Sequence, residues 1–126
     1  MLFRAESDPR VIKNVRQEDD ATVVQVTGRL DASVAQEMKA ELQELIEDGN
    51  TQLVLNLADV NFIDSAGLGV FVSCLRRAAT KGGDLRLAEV PEFARSIFEL
   101  TRLTRVFNIR ESEEDALEAL KKGEEA

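Results

Sequence analysis

The segment Asn61-Phe62-Ile63-Asp64-Ser65-Ala66-Gly67-Leu68-Gly69 carries a carboxylate and a hydroxyl side by side. A strand-like apolar run precedes it and apolar residues at helical spacing follow it, so Ser65 falls where a helix starts. Backbone N–H groups at such a start lack partners and favour negative charge. A serine there can cap the helix. It can also act as a nucleophile if a base takes its proton, or accept a phosphate that adds about −1.5 to −2 charges near neutral pH. Asp64 can do the capping instead, leaving Ser65 as the first helical residue. A second carboxylate, Asp31 in Gly28-Arg29-Leu30-Asp31, also follows an apolar run.

Composition narrows the choice. The chain has no histidine, so no Ser–His or Cys–His pair can be built and no imidazole can bind a metal. Asp64-Ser65-Ala66-Gly67 faintly resembles the nucleophile elbow of hydrolases, but that motif needs a base. The nearest lysine in sequence, Lys81, falls at the far end of the same helix. The residues therefore point to no catalytic site, no metal and no cofactor. The lone Cys74 cannot form an internal disulfide, fits a reducing compartment and reads as packing.

A net charge of −8 argues against nucleic acid and anionic lipid as partners. Much of the excess is local, at Glu111, Glu113, Glu114, Asp115, Glu118, Glu124 and Glu125, and reads as a solvated helix and tail. No apolar run approaches the roughly 20 residues of a membrane span, and residues 1–10 lack the pattern of a secretory signal. The expectation is a soluble cytoplasmic protein. A length of 126 residues suits one domain, long enough to bury roughly two-thirds of its unfolded surface.

The elements that position these side chains follow from periodicity. Residues 11–16 and 22–27 read as strands joined by a polar turn, with Gly28 ending the second. Ser33 with Gln36 forms a capping-box pattern opening a helix, whose stripe is Val34, Met38, Leu42 and Leu45. Residues 53–57 are nearly continuous in apolar type, as in a strand covered on both faces. A helix from Ser65 to about Thr80 comes next, then a strand at 84–89. A helix after Pro91 follows, with Phe93, Ala94, Ile97 and Leu100 as its apolar positions. A strand at 106–109 leads to a last helix opened by Ser112 and packed through Leu117 and Leu120. The order ββαβαβαβα predicts an α/β fold with a mostly parallel sheet and an antiparallel first strand at one edge.

On a helical wheel, Leu68, Phe71, Leu75, Ala78 and Ala79, with Val72 at the border, form the sector facing the sheet. Ser65, Gly69, Ser73 and Arg76 lie opposite, with Arg77 and Thr80 beside them, so Ser65 is predicted to be exposed. Gly69 costs about 1 kcal/mol relative to Ala inside a helix, and its bareness would let a partner's backbone come close. Loops at the C-terminal ends of parallel strands share one edge, which puts Asp31 and Ser65 together. With Ser33 supplying a cap, Asp31 is either a helix-start acid or free to meet a partner.

Gly28-Arg29-Leu30-Asp31, the run 53–57 and above all Phe62-Ile63-Asp64-Ser65-Ala66-Gly67-Leu68-Gly69 resemble the STAS domain, and within it the stand-alone anti-sigma-factor antagonists of bacteria. Residues 83–87 and 98–109 follow the same pattern, and Asn56 stands where the family often carries Asp. The resemblance implies a single STAS-like domain over 11–121, with an N-terminal extension at 1–10 and an acidic tail at 122–126. Four to five strands and about four helices are expected. It also implies partner switching. The unphosphorylated protein would bind an anti-sigma factor that is also a serine kinase and so release a sigma factor. Phosphorylation of Ser65 would end binding, and a metal-dependent serine phosphatase would reset it. Asp31 matches the acidic position implicated in kinase contact; Asp64, Gly67, Gly69, Ser73 and Arg76 complete the expected partner surface of a monomer or weak dimer. STAS-like domains also serve as constitutive scaffold subunits of stress-sensing or lipid-transport assemblies, in which Ser65 would be only a cap or contact.

Overall fold

The computed structural model describes residues 11–122. Five strands form one sheet in the spatial order of the sequence: β1 (Ile12–Glu18), β2 (Ala21–Leu30), β3 (Gln52–Ile63), β4 (Asp84–Ala88) and β5 (Asn108–Arg110). β1 pairs antiparallel with β2, and the remaining neighbours are parallel. The helices are α1 (Ala32–Glu47), α2 (Ser65–Thr80), α3 (Glu92–Leu100) and α4 (Glu113–Lys122), with a short 3-10 turn at Leu103–Arg105. The mostly parallel sheet and the antiparallel edge strand are as the sequence implied. The 1–10 extension lies outside the described residues, and so does the tail beyond Lys122.

Alternation along the strands divides the core. Val24, Val26, Leu53, Leu55, Leu57, Leu85 and Leu87 point to the face covered by α1, α2 and α3. Val23, Val54 and Ala88 point to the other face, where α4 packs Ala116 with Leu117 and Leu120. The run 53–57 is therefore apolar throughout because both faces are covered there.

Several boundaries differ from expectation. β2 passes through Gly28, which adopts φ +87°, and β3 runs on to Ile63. Twice along this pair β3 carries one extra residue relative to β2, between Asn56 and Asp59 and between Val60 and Phe62. Such bulges bend a strand and let it continue past its neighbour's register. The Asn56 side chain caps the first bulge by accepting the Ala58 N–H at 2.8 Å. The last strand spans Asn108–Arg110, because the N–H groups of Val106 and Phe107 both donate to the Leu103 carbonyl at 2.9 Å as the 3-10 turn closes. On α3 only Ala94 and Phe98 are buried; Phe98 meets Phe107 edge-on at 5.7 Å, and that contact turns Phe93 and Leu100 to solvent, 40% and 83% exposed.

Helix α2 is also rolled from its expected setting. Val70 and Cys74 are buried with Leu68, Phe71 and Ala78, while Ala79 is exposed. Helix α1 lies alongside on that flank, where Arg77 of α2 and Lys81 just after it both pair with Glu47. The buried sector thus serves both the sheet and α1, a neighbour invisible to a single-helix wheel.

Candidate functional site

Helices α1 and α2 start at the C-terminal ends of the adjacent strands β2 and β3, and they start alike. Asp31 and Asp64 each occupy the N-cap in extended backbone, at φ −119°, ψ −175° and φ −113°, ψ −172°. The Asp64 Oδ1 accepts the N–H groups of Ala66 at 2.9 Å and Gly67 at 3.1 Å. The Asp31 Oδ1 accepts the Ser33 N–H at 3.0 Å and the Ser33 hydroxyl at 2.6 Å. Ser33 is therefore not the cap of α1, contrary to the capping-box reading, and Asp31 is not a spare acid. With several cap-type side chains in a row, the one that ends the strand reaches the free N–H groups first.

The Ser33 hydroxyl holds the Asp31 carboxyl below its ordinary value of 3.8, aided by the Ser33 N–H and by Arg29 against an opposing loss of solvent. Arg29 Nε lies 3.5 Å from Asp31 Oδ2, and its guanidinium carbon sits 4.1 Å from the centre of the Phe62 ring. An exposed stack of this kind is worth about 0.5–1 kcal/mol. Arg29 and Phe62 were missed as site residues. Their signal was present: each precedes its capping aspartate by two positions, and the parallel register pairs them.

With Asp64 capping, Ser65 is the first residue of α2 and is exposed. Among the described residues no hydrogen bond engages its hydroxyl. Gly69 is exposed one turn on, with nothing within 4 Å of where its Cβ would be. Arg76 is exposed and Ser73 half-buried on the same face. Gly67 departs from this surface. It is buried, and the Leu30 carbonyl oxygen occupies the space a Cβ would need. Its bareness lets the end of β2 and the start of α2 close on each other. Asp64 N–H donates to that same carbonyl at 3.2 Å. The two strand ends carrying Asp31 and Ser65 are thereby fastened into one edge.

The arrangement offers an exposed hydroxyl beside a carboxylate already engaged by two backbone donors. No group of three or more His, Cys, Asp or Glu side chains is placed to hold a metal among the described residues. Cys74 is fully buried, and burial pushes its thiol up to about 11, so it packs as a neutral side chain. No helix of the described residues is long and apolar enough to cross a membrane.

The model of the STAS domain family matches residues 13–116. The chain belongs to the STAS domain family. The anti-sigma-B factor antagonist of Bacillus subtilis (strain 168) is 30% identical over 105 residues, spanning 83% of this chain and 95% of that protein. A crystal structure of an anti-sigma factor antagonist from Mycobacterium paratuberculosis matches with a TM-score of 0.79 at 25% identity, covering 90% of this STAS chain and 97% of that one. The anti-sigma factor antagonist SpoIIAA in its unphosphorylated form shares the fold, with a TM-score of 0.73 at 21% identity over 86% of this chain and 96% of that one. The five-stranded mixed sheet with four helices is thus the STAS architecture.

Proposed function

We propose that this STAS protein is an anti-sigma factor antagonist whose partner surface is reset by phosphorylation of Ser65. Unphosphorylated, it binds an anti-sigma factor that is also a serine kinase, through Asp31, Asp64, Ser65, Gly69, Ser73 and Arg76, and so frees a sigma factor. A metal-dependent serine phosphatase restores the binding form. The protein is a cytoplasmic binding module without catalysis of its own, and neither nucleic acid nor membrane is its partner.

The observation that carries this reading is the division of labour at the start of α2. Asp64 caps the helix, so a phosphate can be added to the exposed Ser65 hydroxyl and removed again without breaking a hydrogen bond of the fold. The helix macrodipole accommodates an anion at that point. What changes is the exterior charge. A doubly charged phosphate about 6 Å from a partner carboxylate is repelled by roughly 1.4 kcal/mol in water and about 5 at an effective dielectric of 20. Those energies correspond to about tenfold to several-thousandfold in affinity.

Incubation with the kinase and ATP, followed by mass spectrometry, is expected to place phosphate on Ser65; phosphate found only elsewhere overturns the site. Ser65→Ala is expected to hold the kinase constitutively and Ser65→Asp to bind it weakly. Equal affinities for the two variants overturn the electrostatic switch.

A further inference from the structure

The opposite edge of the sheet holds a groove that the partner-switching reading does not use. The β1–β2 turn, the first residues of β2 and β3 and one side of α4 enclose about 670 Å³. This lies within the roughly 300–1,000 Å³ of ligand clefts. Six carboxylates line it, from Glu18, Asp19, Asp20, Glu114, Asp115 and Glu118, with Lys121 the only cation among its lining residues. β2 separates this edge from Leu30 by ten residues, roughly 30 Å at the rise of an extended chain.

The lining is not merely acidic. Ala21 is buried at the base, and Leu117 and Leu120 are half-buried there. These two leucines pack one side against Val23, Val54 and Ala88 and turn the other to the groove. Gln52 also lines it, and its Oε1 is buried without a hydrogen-bond partner among the described residues. A buried acceptor left without a donor is unfavourable. The carboxylates are only partly neutralised: Glu18 meets Arg16 at 2.9 Å and Glu118 meets Lys122 at 3.2 Å, both through partly exposed side chains. Asp19 meets Lys121 at 3.6 Å, but both side chains are mostly exposed, and such pairs hold little energy. Asp20, Glu114 and Asp115 have no cationic side chain in ion-pair reach among the described residues.

We propose that this groove docks a basic amphipathic segment of a second protein. An apolar side chain of the segment rests on Leu117 and Leu120, and its lysines or arginines meet the surrounding carboxylates. The apolar floor distinguishes this occupant from a metal ion, and the acidic rim excludes a polyanion. Because the groove lies at the far edge from Ser65, phosphorylation there leaves docking unchanged, and the outcome of this test is independent of the Ser65 assignment.

The test uses the full chain and a fluorescein-labelled dodecapeptide of lysine and arginine with leucine at every fourth position, and a companion with serine replacing leucine. Fluorescence anisotropy near physiological salt is expected to show the leucine peptide binding at least tenfold more tightly than the serine peptide. The double variant Glu114→Lys/Glu118→Lys, at exposed helix positions, is expected to lose at least tenfold, with its circular dichroism unchanged. Amide chemical shifts are expected to move at Asp19, Asp20 and along α4, together with the side-chain amide of Gln52. Failure to bind, equal affinity for the two peptides, an unaffected double variant, or shifts centred on Ser65 would each overturn the proposal.

Discussion

The carbonyl oxygen of Leu30 stands where a side chain on Gly67 would have to go, and the same oxygen accepts the Asp64 N–H at 3.2 Å. The end of β2 thus touches the start of α2 without an intervening side chain. Gly67→Ala is expected to destabilise the protein by about 1–3 kcal/mol, the usual cost of overpacking, because the atom in the way is backbone and cannot rotate aside. Urea denaturation measures it; an unchanged midpoint would show that the two ends are free to separate.

Gly69, two residues on, is expected to behave oppositely. Its missing Cβ meets open space, so Gly69→Ala should raise stability by up to about 1 kcal/mol through helix propensity. The same variant should weaken kinase binding if a partner backbone lies against this face. Stability gained with affinity unchanged would remove Gly69 from the interface.

The cap Asp64 and the proposed switch Ser65 are expected to differ in their weight on stability. Asp64→Ala is expected to lose about 0.5–2 kcal/mol, as for other N-caps. Ser65→Ala should stay within about 0.5 kcal/mol of wild type, as surface changes usually do. A large loss at Ser65 and none at Asp64 in thermal unfolding would reverse their roles.

Asp31 permits the same separation by charge. Asparagine caps helices about as well as aspartate, so Asp31→Asn should keep α1 intact while removing the carboxylate that faces Arg29. Kinase binding measured by calorimetry is expected to fall while the melting temperature holds. If affinity is preserved, Asp31 acts only within its own fold.

Beneath α4, Glu113 accepts the Asn56 amide at 2.6 Å and the Arg16 guanidinium at 2.7 Å. The Arg16 hydrogen bond chiefly holds the Glu113 carboxyl below its ordinary 4.5. A folded-state value below the unfolded one means a contribution fully present above about pH 4.5 and lost as the pH falls through the folded value. Glu113→Gln should therefore be less stable than wild type at pH 7 and show a shallower loss on acidification. Asn56→Asp, which sets a second carboxylate against Glu113, should be destabilised by about 1–3 kcal/mol near neutrality and should recover relative to wild type in acid. Parallel pH profiles for wild type and both variants would dismiss this network as a source of the dependence.

The order of strands and helices was readable because local pattern carries it. The β-branched run in β2, the apolar run in β3 and the helical spacing in α2 each survive folding, and Ser112 caps α4 through the Asp115 N–H. The exposure of Ser65 and Gly69 followed from the same wheel. Phe93 and Leu100 were misjudged because α3 is only nine residues long. The Phe98–Phe107 contact, made across the 3-10 turn, sets which side of so short a helix faces in.

By itself the sequence determined that no histidine can activate Ser65, that Asp31 and Ser65 share one edge of a mostly parallel sheet, and that the chain carries the STAS pattern. Residue types, their order and short-range periodicity suffice for each of these. Only the tertiary structure decided that aspartates rather than serines cap both helices, that Gly67 is a contact inside the fold rather than part of its surface, and that β3 runs through two bulges to Ile63. Those outcomes depend on where the Leu30 carbonyl, the neighbouring helix α1 and the adjacent strand come to lie. Side chains of equal local propensity are sorted by such distances, and distances between segments far apart in the chain are set only when the sheet closes.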